Sequence, residues 1–235
     1  MDPTRHDPAP AAMTLFPAAE LSARDAYRLM TDIIAPRPIA WIGTVGGDGR
    51  RNLAPFSYFQ ALASEPPTVV VSFSTRSDGG AKDSLAHILA TREFTVSHVG
   101  QQHAELMNAS SADYPRDTSE WDALDIAPAA STYVQAPWVA GAAAALECRM
   151  THAIPLGRLA RAAAGSGGMA PPSATAVIAE VLAFRVRGEL LQRDARGNLL
   201  PIPPAALAAI GRLGGVAYTS TSGAFELPRP TVPAR

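Results

Sequence analysis

Ile39-Ala40-Trp41-Ile42-Gly43-Thr44-Val45, Gly46-Gly47-Asp48-Gly49 and Asn52-Leu53-Ala54-Pro55-Phe56-Ser57-Tyr58-Phe59 stand in sequence as run, break and run. The first run is β-branched and aromatic, as a strand requires. The glycine and aspartate cluster has the chemistry of a tight turn, and the second run resumes an extended pattern. This is a β-hairpin. Upstream, Pro36 and Pro38 stop any helix before it begins.

The rest of the chain has similar grammar. Pro66-Pro67 introduces an apolar run from Thr68 to Phe73, and further strands are predicted at Phe94 to Val99, Ala142 to Ile154 and Ala176 to Arg187, with a second hairpin around Asp194-Ala195-Arg196-Gly197-Asn198. Helices are few. Ser22 with Asp25 resembles a capping pair ahead of Ala26, Leu29, Met30 and Ile33 on one face. Others are expected at Lys82 to Thr91, Gln101 to Ala109 and Ala205 to Ile210. The regions Asp113-Tyr114-Pro115 and Trp121 to Asp125 read as irregular, Gly211 to Tyr218 as a compact loop, and the alanine- and glycine-rich 158–172 segment as a mobile loop. Many short strands with few helices predict a mainly β fold with flanking helices, a closed or nearly closed antiparallel barrel. Residues 1–20 are expected to be a disordered tail and 21–230 a single domain.

Composition narrows the function. The chain has 235 residues, is 47% hydrophobic and carries a net charge of −1. It has no basic stripe and no apolar run near 18 residues, so neither nucleic acid nor membrane is an expected partner. The N-terminal residues lack the apolar core of a signal peptide, and a cytoplasmic location is expected. Cys148, the one cysteine, lies in a strand pattern and reads as a buried structural thiol.

Lys82 is the only lysine among twenty basic residues. It sits in Ser74-Thr75-Arg76-Ser77-Asp78-Gly79-Gly80-Ala81-Lys82-Asp83-Ser84, between a strand and a helix start. Hydroxyls, glycines and two cations at a helix N-terminus suit a phosphate, because the first N–H groups are unpaired and the dipole is positive there. The other reading is a solvated loop. Gly46-Gly47-Asp48-Gly49 and Gly165-Ser166-Gly167-Gly168 do not match the dinucleotide fingerprint, and Lys82 lacks the glycine spacing of a nucleotide-triphosphate loop. The five histidines include no helical i, i+4 pair, so no metal is expected.

Pro36-Arg37-Pro38-Ile39-Ala40-Trp41-Ile42-Gly43-Thr44 and Asn52 to Phe59, followed by Pro66-Pro67, the Ser74 to Ser84 loop, Glu93-Phe94-Thr95-Val96, Met107-Asn108-Ala109-Ser110, Ala145-Leu146-Glu147-Cys148 and Arg212-Leu213-Gly214-Gly215, form an ordered series. It resembles the flavin reductase-like FMN-binding split-barrel family over about residues 20–230, especially the branch that includes the reductase component of nitrilotriacetate monooxygenase.

The resemblance implies a six-stranded Greek-key barrel that dimerises with FMN at or near the subunit interface. It implies hydride transfer from NADH or NADPH to FMN, with FAD as an alternative flavin, and a flavin-dependent monooxygenase as a partner that receives reduced flavin. Alternatives are a self-contained FMN enzyme acting on an organic substrate, with the 158–172 segment as a lid, and a flavin carrier without turnover. In this reading Thr44 is a further flavin contact, and Asn52, Leu53, Ala54 and Pro55 run beside the isoalloxazine. Ser57 and Tyr58 face the ribityl chain, while Ser74, Arg76, Lys82, Asp83 and Ser84 surround the phosphate, with Asp83 capping helix N–H groups. Asn108, Arg212 and Tyr218 complete the set. Arg212 is expected either to face the flavin or nicotinamide phosphates or to form an interface salt bridge. Trp41, Phe56 and Phe73 are expected in the core. No catalytic acid is assigned; His152 and Tyr218 are the only proton donors suggested.

Overall fold

The structure, a computed structural model, describes residues 12–76, 78–157 and 172–230. Ser77, most of the 158–172 segment with its Gly165-Ser166-Gly167-Gly168 cluster, and the first eleven residues of the expected tail lie outside them.

The opening hairpin forms as its residues dictate. Strands β1 (Ala40–Val45) and β2 (Arg51–Phe56) pair antiparallel with Ile42 opposite Ala54. Their turn closes through Gly46 N–H to Arg50 O and Gly49 N–H to Gly46 O, with Gly49 at φ +82° where glycine is favoured. Gly43 is needed for a different reason. A Cβ there would meet Pro137 O at 2.3 Å and Thr95 Oγ1 at 2.7 Å.

The expected strand from Asn52 to Phe59 is broken at Ser57 and Tyr58. The chain bends there, leaves β1 and continues as β3 (Phe59–Ser64), which pairs with β4 (Pro67–Ser74). Strands β5 (Glu93–Ser97), β8 (Ala144–Leu156) and β9 (Ala174–Val186) complete a sheet of order β2-β1-β5-β8-β9-β4-β3, while β6 (Pro128–Ala129) and β7 (Trp138–Val139) form a separate short pair. All adjacent strands are antiparallel. Because β2 and β3 are one bent strand reaching both edges of the sheet, the ladder curls on itself. Ser72 N–H donates to Tyr58 O, and Phe56 packs on Phe73 with ring centroids 4.5 Å apart. Counted with that bent strand as one, this is a six-stranded split barrel.

The barrel interior is apolar, with Ile42, Val71, Phe73, Phe94, Cys148 and Val177 all at 0% exposure. Cys148 is a structural thiol whose pKa burial pushes up strongly. A second cluster, with Trp41, Leu53, Met107 and Trp121, seals the outer face of β1 and β2 against the helices. The region expected to be irregular around Trp121 contains a short helix, α4 (Glu120–Ala123), which buries both Glu120 and Trp121. Helix α1 (Ala23–Ile33) is capped by Ser22, whose Oγ accepts from Asp25 N–H at 3.0 Å. Helix α2 (Asp83–Thr91) follows the polar loop, and α3 (Ala104–Ala109) follows a 3₁₀ turn. After α5 (Pro204–Leu207), the expected compact loop is a hairpin of β10 (Ile210–Arg212) and β11 (Tyr218–Ser220).

Candidate functional site

Two clefts lie end to end along β2 and share Pro55, Phe56 and Ser111, so they form one groove. One half, of about 140 Å³, is lined by Asn52, Ala54, Arg76, Lys82, Asp83, Ser84, Tyr114 and Glu120. The other, of about 210 Å³, is lined by Tyr27, Ile39, Ser57, Met107, Asn108, Arg212 and Tyr218.

At the first half, strand β4 delivers the polar loop to the start of α2. The N-cap of that helix is Lys82, in extended conformation and with no side-chain cap hydrogen bond. This is a poor choice for a helix in isolation. Lysine has no acceptor for the first-turn N–H groups and places a positive charge at the positive end of the dipole. Both penalties reverse when an anion sits there. Asp83 acts as a counter-ion rather than as the expected cap: its two carboxylate oxygens lie 3.5 Å from Arg76 and 3.5 Å from Arg116. Lys82 has no salt-bridge partner among the described residues.

Buried polar bonds fix the floor of this half. Asn52 Nδ2 donates to Ser84 Oγ at 2.7 Å, and Leu53 N–H donates to a Glu120 carboxylate oxygen at 2.9 Å. Burial pushes the Glu120 carboxyl above its usual range, and nearby Asp83 adds to the shift, although the Leu53 N–H opposes it. A third cleft adjoins here, sharing Asn52, Asp83, Tyr114 and Glu120, but its arginines are neutralised: Arg50 by Asp48 at 2.6 Å, Arg51 by Asp122 at 2.9 Å and Arg116 by Asp83.

The second half is built by β10 and β11. Arg37 and Arg212 exchange both backbone hydrogen bonds at 2.9 Å, which pins the hairpin to the chain just after α1. The buried Arg37 side chain donates to Thr31 O and Ile34 O at the C-terminal end of α1, where a cation is favoured, and to Leu213 O in the hairpin. The Arg212 guanidinium lies 4.5 Å over the Tyr218 ring, and Tyr218 Oη donates to Asn108 Oδ1 at 3.1 Å.

Of the residues singled out in the sequence, Asn52, Ala54, Pro55, Ser57, Arg76, Lys82, Asp83, Ser84, Asn108, Arg212 and Tyr218 line the groove. Others do not. Thr44 is fully buried, bonded to His87 Nδ1 at 3.0 Å, and Leu53 sits in the core with its N–H already given to Glu120. Alternation along the two strands turns the Thr44 side chain toward the barrel and α2, and the Leu53 side chain into the outer cluster with Trp41 and Trp121. Tyr58 lies at the bend between β2 and β3, Ser74 ends β4 in solvent, and His152 is exposed on β8 with Nδ1 beside Thr151 Oγ1. Phe56, expected only in the core, packs on Phe73 but also lines both halves of the groove. Tyr114 and Arg116 arrive on a loop with no periodic signal, and Glu120 on a four-residue helix too short to carry one.

Residues 33–202 match the family model for the flavin reductase like domain. The chain belongs to that family. It is 38% identical over 223 residues to an uncharacterized protein of Deinococcus radiodurans, covering 93% of this chain and 90% of that one. Among solved structures, nitrilotriacetate monooxygenase component B from Bacillus cereus superposes with a TM-score of 0.80 at 30% identity, covering 92% of this chain and 99% of that one. The 2-nitrobenzoate 2-nitroreductase NbaA of Pseudomonas fluorescens does so at 0.74 with 25% identity, covering 94% and 99%. The split barrel and the flavin reductase assignment rest on these together with the groove.

Proposed function

We propose that the groove along β2 holds FMN, with FAD as the alternative, and that the chain is an NAD(P)H-dependent flavin reductase. The observation that carries this is Lys82 at the N-cap of α2: a helix start with a cation and no side-chain cap is suited to a phosphate. Arg76, paired with Asp83, adds guanidinium N–H donors, Ser84 adds a hydroxyl, and Asn52 holds Ser84 in place. Ala54, Pro55 and Phe56 form the wall beside the ring system, and Pro55 has no N–H to leave unpaired. When bound, the flavin supplies hydride acceptance from nicotinamide and onward transfer of electrons. The protein supplies position and charge, and needs no acid–base pair for it.

A homodimer fits the exposed apolar side chains of Tyr27, Met30, Ile33 and Ile34 along and just beyond α1. In this reading reduced flavin passes to a partner monooxygenase, as the name of the Bacillus cereus neighbour suggests. A second reading, a self-contained flavoenzyme acting on an organic molecule, is favoured by the aromatic lining of the Arg212 half and by the nitroreductase neighbour.

Steady-state NADH and NADPH oxidation, with and without added FMN, tests the proposal. Nicotinamide loss that depends on added flavin supports the reductase. Flavin retained through gel filtration together with turnover of an organic acceptor supports the second reading, and no flavin binding at all overturns both.

A further inference from the structure

We propose that the Arg212–Tyr218 end of the groove is a binding position for the carboxylate of a flat aromatic molecule, a second substrate distinct from the flavin. The proposal rests on the reading that the groove holds the flavin with its phosphate at the Lys82 end.

Arg212 differs from Arg76 in the other half of the groove, and from Arg50, Arg51 and Arg116 in the adjoining cleft, each of which has a carboxylate within 4 Å. Arg212 has none among the described residues, and no acidic side chain lines its half of the groove. One of its N–H groups goes to Gly215 O. A guanidinium has five donors in a planar fork, so a bidentate face remains for a ligand.

The fork is also held in advance. Its backbone is bridged to Arg37, its plane rests on Tyr218, and Tyr218 is fixed by Asn108. Gly211 lets the hairpin approach so closely that a Cβ would lie 2.7 Å from Pro36 Cβ. A donor set fixed before binding loses little freedom on binding. Solvated surface arginines lack such bracing.

Charge and size select the ligand. The Lys82 half has Lys82, unpaired among the described residues, at a helix N-terminus beside an Arg76 already paired with Asp83, which suits a phosphate, whereas the Arg212 half has one cation and no acidic side chain and suits a monoanion. Beside the fork its walls set Tyr27, Ile39, Phe56 and Met107 among the polar Ser57, Asn108 and Ser111, and its volume is about 210 Å³. An apolar cavity of about 150 Å³ takes one benzene ring. One ring with a carboxylate therefore fits, and a neutral carboxamide would leave the fork without a counter-charge.

The test uses the full chain, first titrated with FMN by flavin fluorescence, then titrated calorimetrically with benzoate, benzamide and NADH. We expect benzoate to bind at least about tenfold more tightly than benzamide, as a charge-assisted pair requires. Arg212→Gln should bring the two within twofold, and Arg212→Lys should fall between. Equal binding of benzoate and benzamide to the unaltered chain overturns the proposal. So does an Arg212→Gln variant that loses NADH affinity alone, which would assign the position to the nucleotide. Failure of FMN to bind overturns the flavin reading instead, and the benzoate comparison on the flavin-free chain still decides the Arg212 position.

Discussion

Asn52 Nδ2 donates to Ser84 Oγ across 2.7 Å, with Asn52 at 8% exposure and Ser84 at 2%. The bond ties strand β2 to the first turn of α2, and so ties the wall of the groove to its phosphate-binding end. Removing one partner strands the other in a buried place, which costs about 1–3 kcal/mol. Asn52→Ala and Ser84→Ala should each lower stability in urea unfolding by that order. Since each mutation destroys the same bond, the double variant should cost at least about 0.5 kcal/mol less than the sum. Strict additivity would mean that the two residues are not coupled.

Lys82 lines the groove without a salt-bridge partner among the described residues, so its removal should leave the fold almost unchanged. A charge-assisted contact to phosphate contributes on the order of 1.5–3 kcal/mol. Lys82→Ala should therefore weaken FMN by about 10- to 150-fold in a fluorescence titration while the unfolding midpoint stays within error. Unchanged FMN affinity would remove the phosphate from this end of the groove.

Local chemistry made some of this legible in advance. The glycines of the β1–β2 turn, the Ser22 cap and the polar loop ahead of α2 are each specified by neighbouring residues, and each lies where the sequence places it. What could not be read depends on distant contacts. The break at Ser57 and Tyr58 exists because the barrel closes there, with Tyr58 O accepting from Ser72 N–H. Helix α4 has four residues, too few for a hydrophobic period, yet it delivers Glu120 to a backbone N–H 67 positions away. Thr44 and Leu53 lie off the groove for the converse reason. Membership of a strand that borders the groove does not say which face a side chain takes until the barrel and its outer cluster are both known.

Glu120 makes stability depend on pH in the less common direction. Its folded pKa is raised, first by burial, so the folded state holds the proton more tightly than the unfolded chain. Its favourable contribution is present below the ordinary carboxylate range near 4.3 and is lost as pH rises through the folded value. Glu120→Gln keeps an acceptor for Leu53 N–H without the charge. At pH 7 the variant should match or exceed the parent by on the order of 1 kcal/mol, and the advantage should vanish below about pH 4. It should also tighten FMN, since a carboxylate leaves the phosphate half. A variant clearly less stable at neutral pH would show that the ionised carboxylate is needed by the fold.

Glu147 should behave in the opposite sense within the same barrel. It is fully buried on β8, where burial alone would raise its pKa. The N–H groups of Tyr133 and Thr132, with the Arg185 guanidinium, outweigh burial and hold it below the usual range. A lowered carboxylate stabilises the fold above the ordinary value near 4.3, and that stability is lost as pH falls through the lower folded value. Taking away one member of a buried ion pair costs about 3–5 kcal/mol. Glu147→Gln should therefore lose about 3 kcal/mol or more at pH 7 in chemical denaturation. As the pH is lowered to about 2, the parent becomes protonated as well, and the two curves should converge. A gap that persists undiminished in acid would mean that shape and hydrogen bonding at this position, rather than its charge, anchor the 132–133 loop to the sheet.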